Sequence, residues 1–226
     1  MVDQMSEEQV LFQEKSNTGT TWTRNEKFDK DGYLVVKNLW DVEELYRSVP
    51  MIRGQINYWG KKLDQYTLIE EELQVNGSLA TYSHPQYRQI HSGIRLKLES
   101  IIGRKLYNTY YYDRFYFAGQ ELTKHADRDS CEISVSIHIS SNITECWPFK
   151  IKTVSSGERS LCLKPGDGLI YKGCERPHWR DPLKSRHKGI FGALKRKNDD
   201  TYYHQIFFHY VLADGHRAHC ALDRSL

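Results

Sequence analysis

Apolar residues change their spacing along this chain at Gly103. Upstream, helical spacing runs through 41–49, 51–66 and 86–102; in the last of these Ile90, Ile94, Leu98 and Ile101 share a face and Gly103 is the stop. Asp41 is positioned to cap a helix carrying Leu45 and Val49. Downstream the pattern breaks into short β-rich runs at 107–117, 131–140, 148–153, 159–163, 168–172, 177–180 and 204–212, divided by Gly, Pro, Asn and Asp. Such a series predicts a mainly β sandwich or jelly roll flanked by N-terminal helices. The run 131–140 alternates strictly, with Cys131, Ile133, Val135, Ile137 and Ile139 opposing Glu132, Ser134, Ser136 and His138. One strand precedes the helices, because Asp31-Gly32 reads as a turn feeding the β-branched segment 33–37.

Residues 1–24 are polar and aperiodic and read as a flexible lead-in. The remainder, 25–226, reads as a single domain: helical support over 41–103, a β core over 104–213 and a basic insertion over 184–203. No apolar run approaches the roughly 20 residues a membrane helix needs, and acidic residues near the start replace the basic region of a secretory signal. A cytoplasmic location is the expectation. The five cysteines are odd in number and never in CxxC spacing, so they read as buried thiols and not as a disulfide framework or zinc knuckle. A net charge of +3 does not call for a nucleic-acid partner. The spacing leaves the oligomeric state open.

The chemistry gathers at His125-Ala126-Asp127. An imidazole and a carboxylate two positions apart at a strand end project to the same side. One more imidazole from a neighbouring strand completes a two-histidine, one-carboxylate face with open coordination positions, the arrangement of mononuclear iron(II) sites. His178 is the choice for that ligand, since the turn at 164–168, the strand to Tyr171 and the turn at Lys172-Gly173 deliver it to the start of a strand. His209 is the rival, set within the hydrophobic run Phe207-Phe208-His209-Tyr210, where a core histidine bonded to a neighbour is the alternative.

The stretch Tyr116-Phe-Ala-Gly119-Gln-Glu-Leu122-Thr-Lys-His125-Ala-Asp127 resembles the Y-x-x-G-x-x-L-x-x-H-x-D segment of 2-oxoglutarate and iron(II)-dependent oxygenases, especially their prolyl-4-hydroxylase-like branch. Pro165-Gly166-Asp167 and Pro177-His178 resemble that family's approach to its distal histidine, and Phe28 to Lys37 resembles its opening segment. The resemblance implies a double-stranded β-helix of jelly-roll or cupin-like form. It also implies a hydroxylase using Fe(II), 2-oxoglutarate and dioxygen, with ascorbate admissible as an accessory, acting on a peptidyl or small-molecule substrate.

Such an enzyme needs a basic group for the far carboxylate of 2-oxoglutarate. The family's usual place, about ten residues past the distal histidine, falls on Arg186, His187 and Lys188 in the basic insertion. Arg180, two residues beyond His178 and on its side of the strand, is preferred, with Arg186 and Lys188 behind it; the alternative for Arg180 is a salt bridge to Asp181 or Asp167. Tyr116 and Tyr112 lie on alternate positions of the preceding strand and offer hydroxyls to the same cosubstrate. Two other readings stand beside this one. A jelly roll can bind metal or sugar without catalysis, and the basic cluster at 184–197 fits an oxygenase that dealkylates nucleic acid.

Overall fold

The computed structural model describes residues 23–48, 74–187 and 199–222. Most of the expected lead-in, the helix expected over 51–66, and Lys188 lie outside the described residues. Among those described, two sheets of antiparallel strands face each other. The larger has the order β1 (Tyr33–Val36), β8 (Gly168–Tyr171), β5 (Ile133–Ser141), β10 (Tyr202–Leu212), β3 (Leu106–Phe117), β2 (Leu79–Tyr82). The smaller has the order β4 (Leu122–His125), β9 (His178–Arg180), β6 (Phe149–Thr153), β7 (Gly157–Leu161). Chain-consecutive strands alternate between the sheets from β3 to β6 and again from β8 to β10, which makes this a double-stranded β-helix. No helix of the described residues is long and apolar enough to cross a membrane.

Among the described residues, the helices at 41–49 and 86–102 are shorter than the spacing predicts. α1 (Glu26–Asp31) forms where only a turn is expected: the Asn25 side chain accepts from Phe28 N–H at its start and Gly32 ends it at φ 78°. α2 (Val42–Leu45) is a single turn capped by Asp41. α3 (Arg88–Ile102) is the long one, and it buries Ile90, Ile94, Leu98 and Ile102, with Ile101 partly covered and packed against them. Gly103 stops it at φ 69°, and a Cβ there would stand 2.1 Å from the Thr23 carbonyl oxygen, so glycine is required.

The alternation of β5 explains why α3 packs where it does. Ile133, Val135, Ile137 and Ile139 join Ile94, Leu98, Ile206 and Phe208 in one core on the outer side of the large sheet. Each such aliphatic side chain, once buried, contributes about 1.5–3 kcal/mol. The opposite face of β5 carries Ser134, Ser136 and His138 into the space between the sheets. Strand β5 itself begins at Ile133, because residues 129–131 form a 3-10 turn that takes Cys131 out of the alternation.

The cysteines overturn one expectation. Cys146 and Cys162 form a disulfide with their Cα atoms 5.8 Å apart, tying the entry of β6 to the exit of β7; Cys131, Cys174 and Cys220 are free thiols. The spacing hid this pair because β6 and β7 form a hairpin that brings residues sixteen apart in sequence side by side. Disulfides persist in oxidising compartments and are rare in the cytosol, so the cysteines lend no support to a cytoplasmic placement.

Candidate metal centre

The end of β4 and the start of β9 are paired, with His125 opposite His178. A register shift between Leu122 and His125 turns the last residues of β4, and the chain leaves the strand so that Asp127 faces both imidazoles. The two rings stand 4.4 Å apart centre to centre. Asp127 Oδ1 lies 3.3 Å from His125 Nε2 and 3.4 Å from His178 Nε2. His125, Asp127 and His178 thus bring one ligand atom each to a common point.

Both imidazoles are oriented by backbone. His125 Nδ1 is 2.8 Å from the Thr123 carbonyl and His178 Nδ1 is 2.9 Å from the Arg176 carbonyl. A carbonyl only accepts, so each Nδ1 carries a proton, and each Nε2, once it gives up its own proton to make way for a metal, turns a lone pair to the shared point. Phe149 stacks on His178 at 5.4 Å and Tyr171 meets it edge-on at 4.8 Å. Burial works against a charged His125, but its hydrogen bonds to Asp127 and the Thr123 carbonyl prevail and raise its pKa above 6.5. Burial likewise opposes ionisation of Asp127, and the bonds from His125 and His178 outweigh it, holding the carboxyl far below the usual range. Two neutral nitrogens and an anionic oxygen, with no sulfur among them, suit iron(II), whereas a structural zinc site closes with four ligands and usually includes thiolate.

The backbone around Asp127 leaves no slack. Its N–H donates to the Gly173 carbonyl at 3.0 Å, and a Cβ on Gly173 would stand 2.3 Å from Asp127 Oδ2. Gln74 Nε2 reaches His125 Nε2 at 2.9 Å, and Arg114 Nη1 donates to Gln74 Oε1 at 3.1 Å.

Arg180 lies deeper between the sheets and is 1% exposed. Leu122 is its partner in the β4–β9 register, just as His125 is that of His178, so guanidinium and ligand share one side of β9. Trp147, Tyr203 and Phe149 surround it at 4.5, 4.8 and 5.4 Å. It donates to the Trp147 carbonyl and, at 2.8 Å, to Gln205 Oε1. Neither expected carboxylate reaches it: Asp181 binds Lys150 and Asp167 binds Lys37. Among the described residues no carboxylate pairs with Arg180. Arg180 Nε, Gln205 Nε2 and Ser136 Oγ are buried without a hydrogen-bond partner among the described residues, and all three come from strands lining the interior.

The other expected cosubstrate residues divide. Tyr116 is wholly buried in the interior, its hydroxyl 3.2 Å from Arg114 Nη1 and its ring edge-on to Trp147 at 5.0 Å. Tyr112 stacks between Tyr82 at 4.8 Å and Phe207 at 4.7 Å on the same inner face. Arg186 is a correction. It is exposed and forks onto Asp200, with Nε to Oδ1 at 2.8 Å, on the surface segment leading to β10. The loop length between β9 and β10 displaced it from the strand position that the resemblance implied. His209 is not one of the three converging ligands; its Nδ1 meets Ser134 Oγ at 3.0 Å, and burial lowers its pKa to about 4 despite the nearby Asp127 charge. Ser134, Gln205, Trp147 and Gly173 shape the site without having been singled out by sequence. Two of them carried a signal, Ser134 as a polar position alternating with the isoleucines of β5 and Gly173 as a turn residue ahead of His178.

No family model matches the chain, and no curated protein matches its sequence. Solved structures do match its fold. A prolyl-4-hydroxylase of Pseudomonas putida superposes with a TM-score of 0.53 at 11% identity, over 82% of this chain and 95% of that one. This is the fold of the 2-oxoglutarate and iron(II) oxygenases. A 2OG-Fe(II) oxygenase family oxidoreductase from Burkholderia pseudomallei covers 90% of this chain and 98% of its own at a TM-score of 0.56 and 10% identity. HygX from Streptomyces hygroscopicus, with nickel, 2-oxoglutarate and hygromycin B bound, covers 93% and 88% at 0.54 and 10%.

Proposed function

We propose that this protein is a 2-oxoglutarate-dependent iron(II) oxygenase that hydroxylates a C–H bond of a peptidyl or small-molecule substrate. His125, Asp127 and His178 hold the metal, and the convergence of their three ligand atoms carries the reading. Bound there, iron(II) supplies the oxidising chemistry, in which 2-oxoglutarate and dioxygen yield succinate and CO₂ as the substrate gains a hydroxyl oxygen.

The chain's own residues supply position and charge. Arg180 is the partner of the far carboxylate. A buried guanidinium without a counter-charge is costly, and an anion seated beside its unpartnered Nε would relieve that cost together with the idle donors of Gln205 and Ser136. Tyr116 and Trp147, edge to face at 5.0 Å with Trp147 against Arg180, would shield that guanidinium from water. Tyr112 belongs to the aromatic wall nearer His209, a location that suits substrate packing better than cosubstrate binding.

Anaerobic addition of Fe(II) and then 2-oxoglutarate to the protein tests this directly. A metal-to-ligand charge-transfer band in the visible, absent in His125→Ala and Asp127→Ala, is the expected result. Metal binding without a band on adding 2-oxoglutarate would instead favour a jelly roll that binds metal without this catalysis.

A further inference from the structure

The two oxygens of Asp127 serve different partners. Oδ1 faces His125 and His178, whereas Oδ2 lies 2.9 Å from the Ser134 hydroxyl. Ser134 Oγ is also 3.2 Å from the Cys131 carbonyl and 3.0 Å from His209 Nδ1. Carboxylate and carbonyl oxygens only accept, so the single hydroxyl proton is drawn toward them, and the remaining bond is satisfied when His209 donates its Nδ1–H to Ser134 Oγ. The His209 ring is held for that role by Tyr110 at 4.6 Å and Tyr112 at 5.8 Å, and its Nε2 is buried with no partner among the described residues. On the other side Gly173 leaves Oδ2 a place that a side chain would take, since a Cβ there would stand 2.3 Å from it.

We propose that Ser134 and His209 are positioning residues that keep Oδ2 of Asp127 turned away from the metal, so that the carboxylate binds through Oδ1 alone. A second bound oxygen would take a position needed by cosubstrate or dioxygen. The inference rests on reading His125, Asp127 and His178 as the metal centre. Asp127, Cys131 and His209 also lie close enough to ligate an ion, their ligand atoms within 4.8 Å of one another. Ser134 Oγ, which already bonds Asp127 Oδ2 and His209 Nδ1, two of the three ligand atoms, favours the relay.

Nickel(II) affinity by calorimetry and the visible spectrum of the cobalt(II) form distinguish these arrangements in this protein. Ser134→Ala weakens nickel binding by about 10–100-fold, the usual effect of removing a group that orients a ligand, and shifts the cobalt bands. His209→Phe keeps the ring packing, removes the donor, and gives a smaller change of the same kind. His209→Asn returns an amide donor near the place of Nδ1 and recovers most of the affinity and the spectrum. Wild-type affinity and bands in a folded His209→Phe overturn the relay. Unchanged values in Ser134→Ala, which removes one oxygen, overturn it even if His209→Phe does not fold. A second equivalent of metal with a thiolate charge-transfer band that disappears in Cys131→Ser also overturns it, by making His209 a ligand. If the wild type binds no metal, the reading of the centre itself fails and the relay falls with it.

Discussion

Strand β5 shows two faces of one sheet put to opposite uses. Its outer face, Ile133, Val135, Ile137 and Ile139, is sealed under α3, and no polar side chain of the strand enters that core. Its inner face, Ser134, Ser136 and His138, is as thoroughly buried, yet Ser136 Oγ and His138 Nε2 find no partner among the described residues. Apolar burial on one side stabilises the domain enough to tolerate incompletely bonded polar groups on the other. The difference teaches where to look for ligands: burial alone marks neither face, but unmet hydrogen bonding marks the inner one.

Substitutions on the two faces should therefore separate function from stability. The largest effect is expected from Asp127→Ala, which removes the only carboxylate of the converging set: 2-oxoglutarate turnover to succinate falls to background while the far-ultraviolet circular dichroism stays native. Retained turnover would remove Asp127 from the centre. On the outer face, Ile137→Ala should lower the unfolding free energy by about 2–5 kcal/mol in urea melts, with nickel affinity of the folded protein unchanged. Arg180→Gln on the inner face is expected to weaken 2-oxoglutarate binding by about 2–5 kcal/mol, at least about thirtyfold in Kd. The same change leaves nickel affinity intact and does not lower the melting temperature, because it deletes an uncompensated charge. An equal loss of nickel affinity would place Arg180 in the metal centre instead.

A milder effect comes from pH. The raised pKa of His125 means that the metal-free site holds its proton to higher pH than a free imidazole at 6.5. Metal must displace that proton, so nickel affinity falls as pH drops through the raised value and levels off above it. A flat profile between about pH 6 and 8, the span around an ordinary imidazole, would contradict the His125–Asp127 coupling. Smallest of all, Arg186→Ala removes a solvent-exposed partner of Asp200 and should leave the KM for 2-oxoglutarate unchanged.

What the sequence by itself determined was the chemistry that the candidate ligands offer and the layout of the strands. His125-x-Asp127 reads as a metal pair because two positions along a strand end share a side, and the seven β-rich runs foretold the jelly roll because alternation and turn residues are local properties. Even the two faces of β5 were legible, since a period of two needs no neighbour to be seen. Only the tertiary structure decided which distant residues meet them. The choice of His178 over His209 depends on β9 pairing with β4, and the freedom of Arg180 from Asp181 and Asp167 depends on Lys150 and Lys37 reaching those carboxylates first. The Cys146–Cys162 bridge, the demotion of Arg186 and the contact of Ser134 with Asp127 are likewise products of hairpins and loop lengths. Local pattern specifies what each residue can do, but long-range pairing specifies what stands beside it, and a site is made of both.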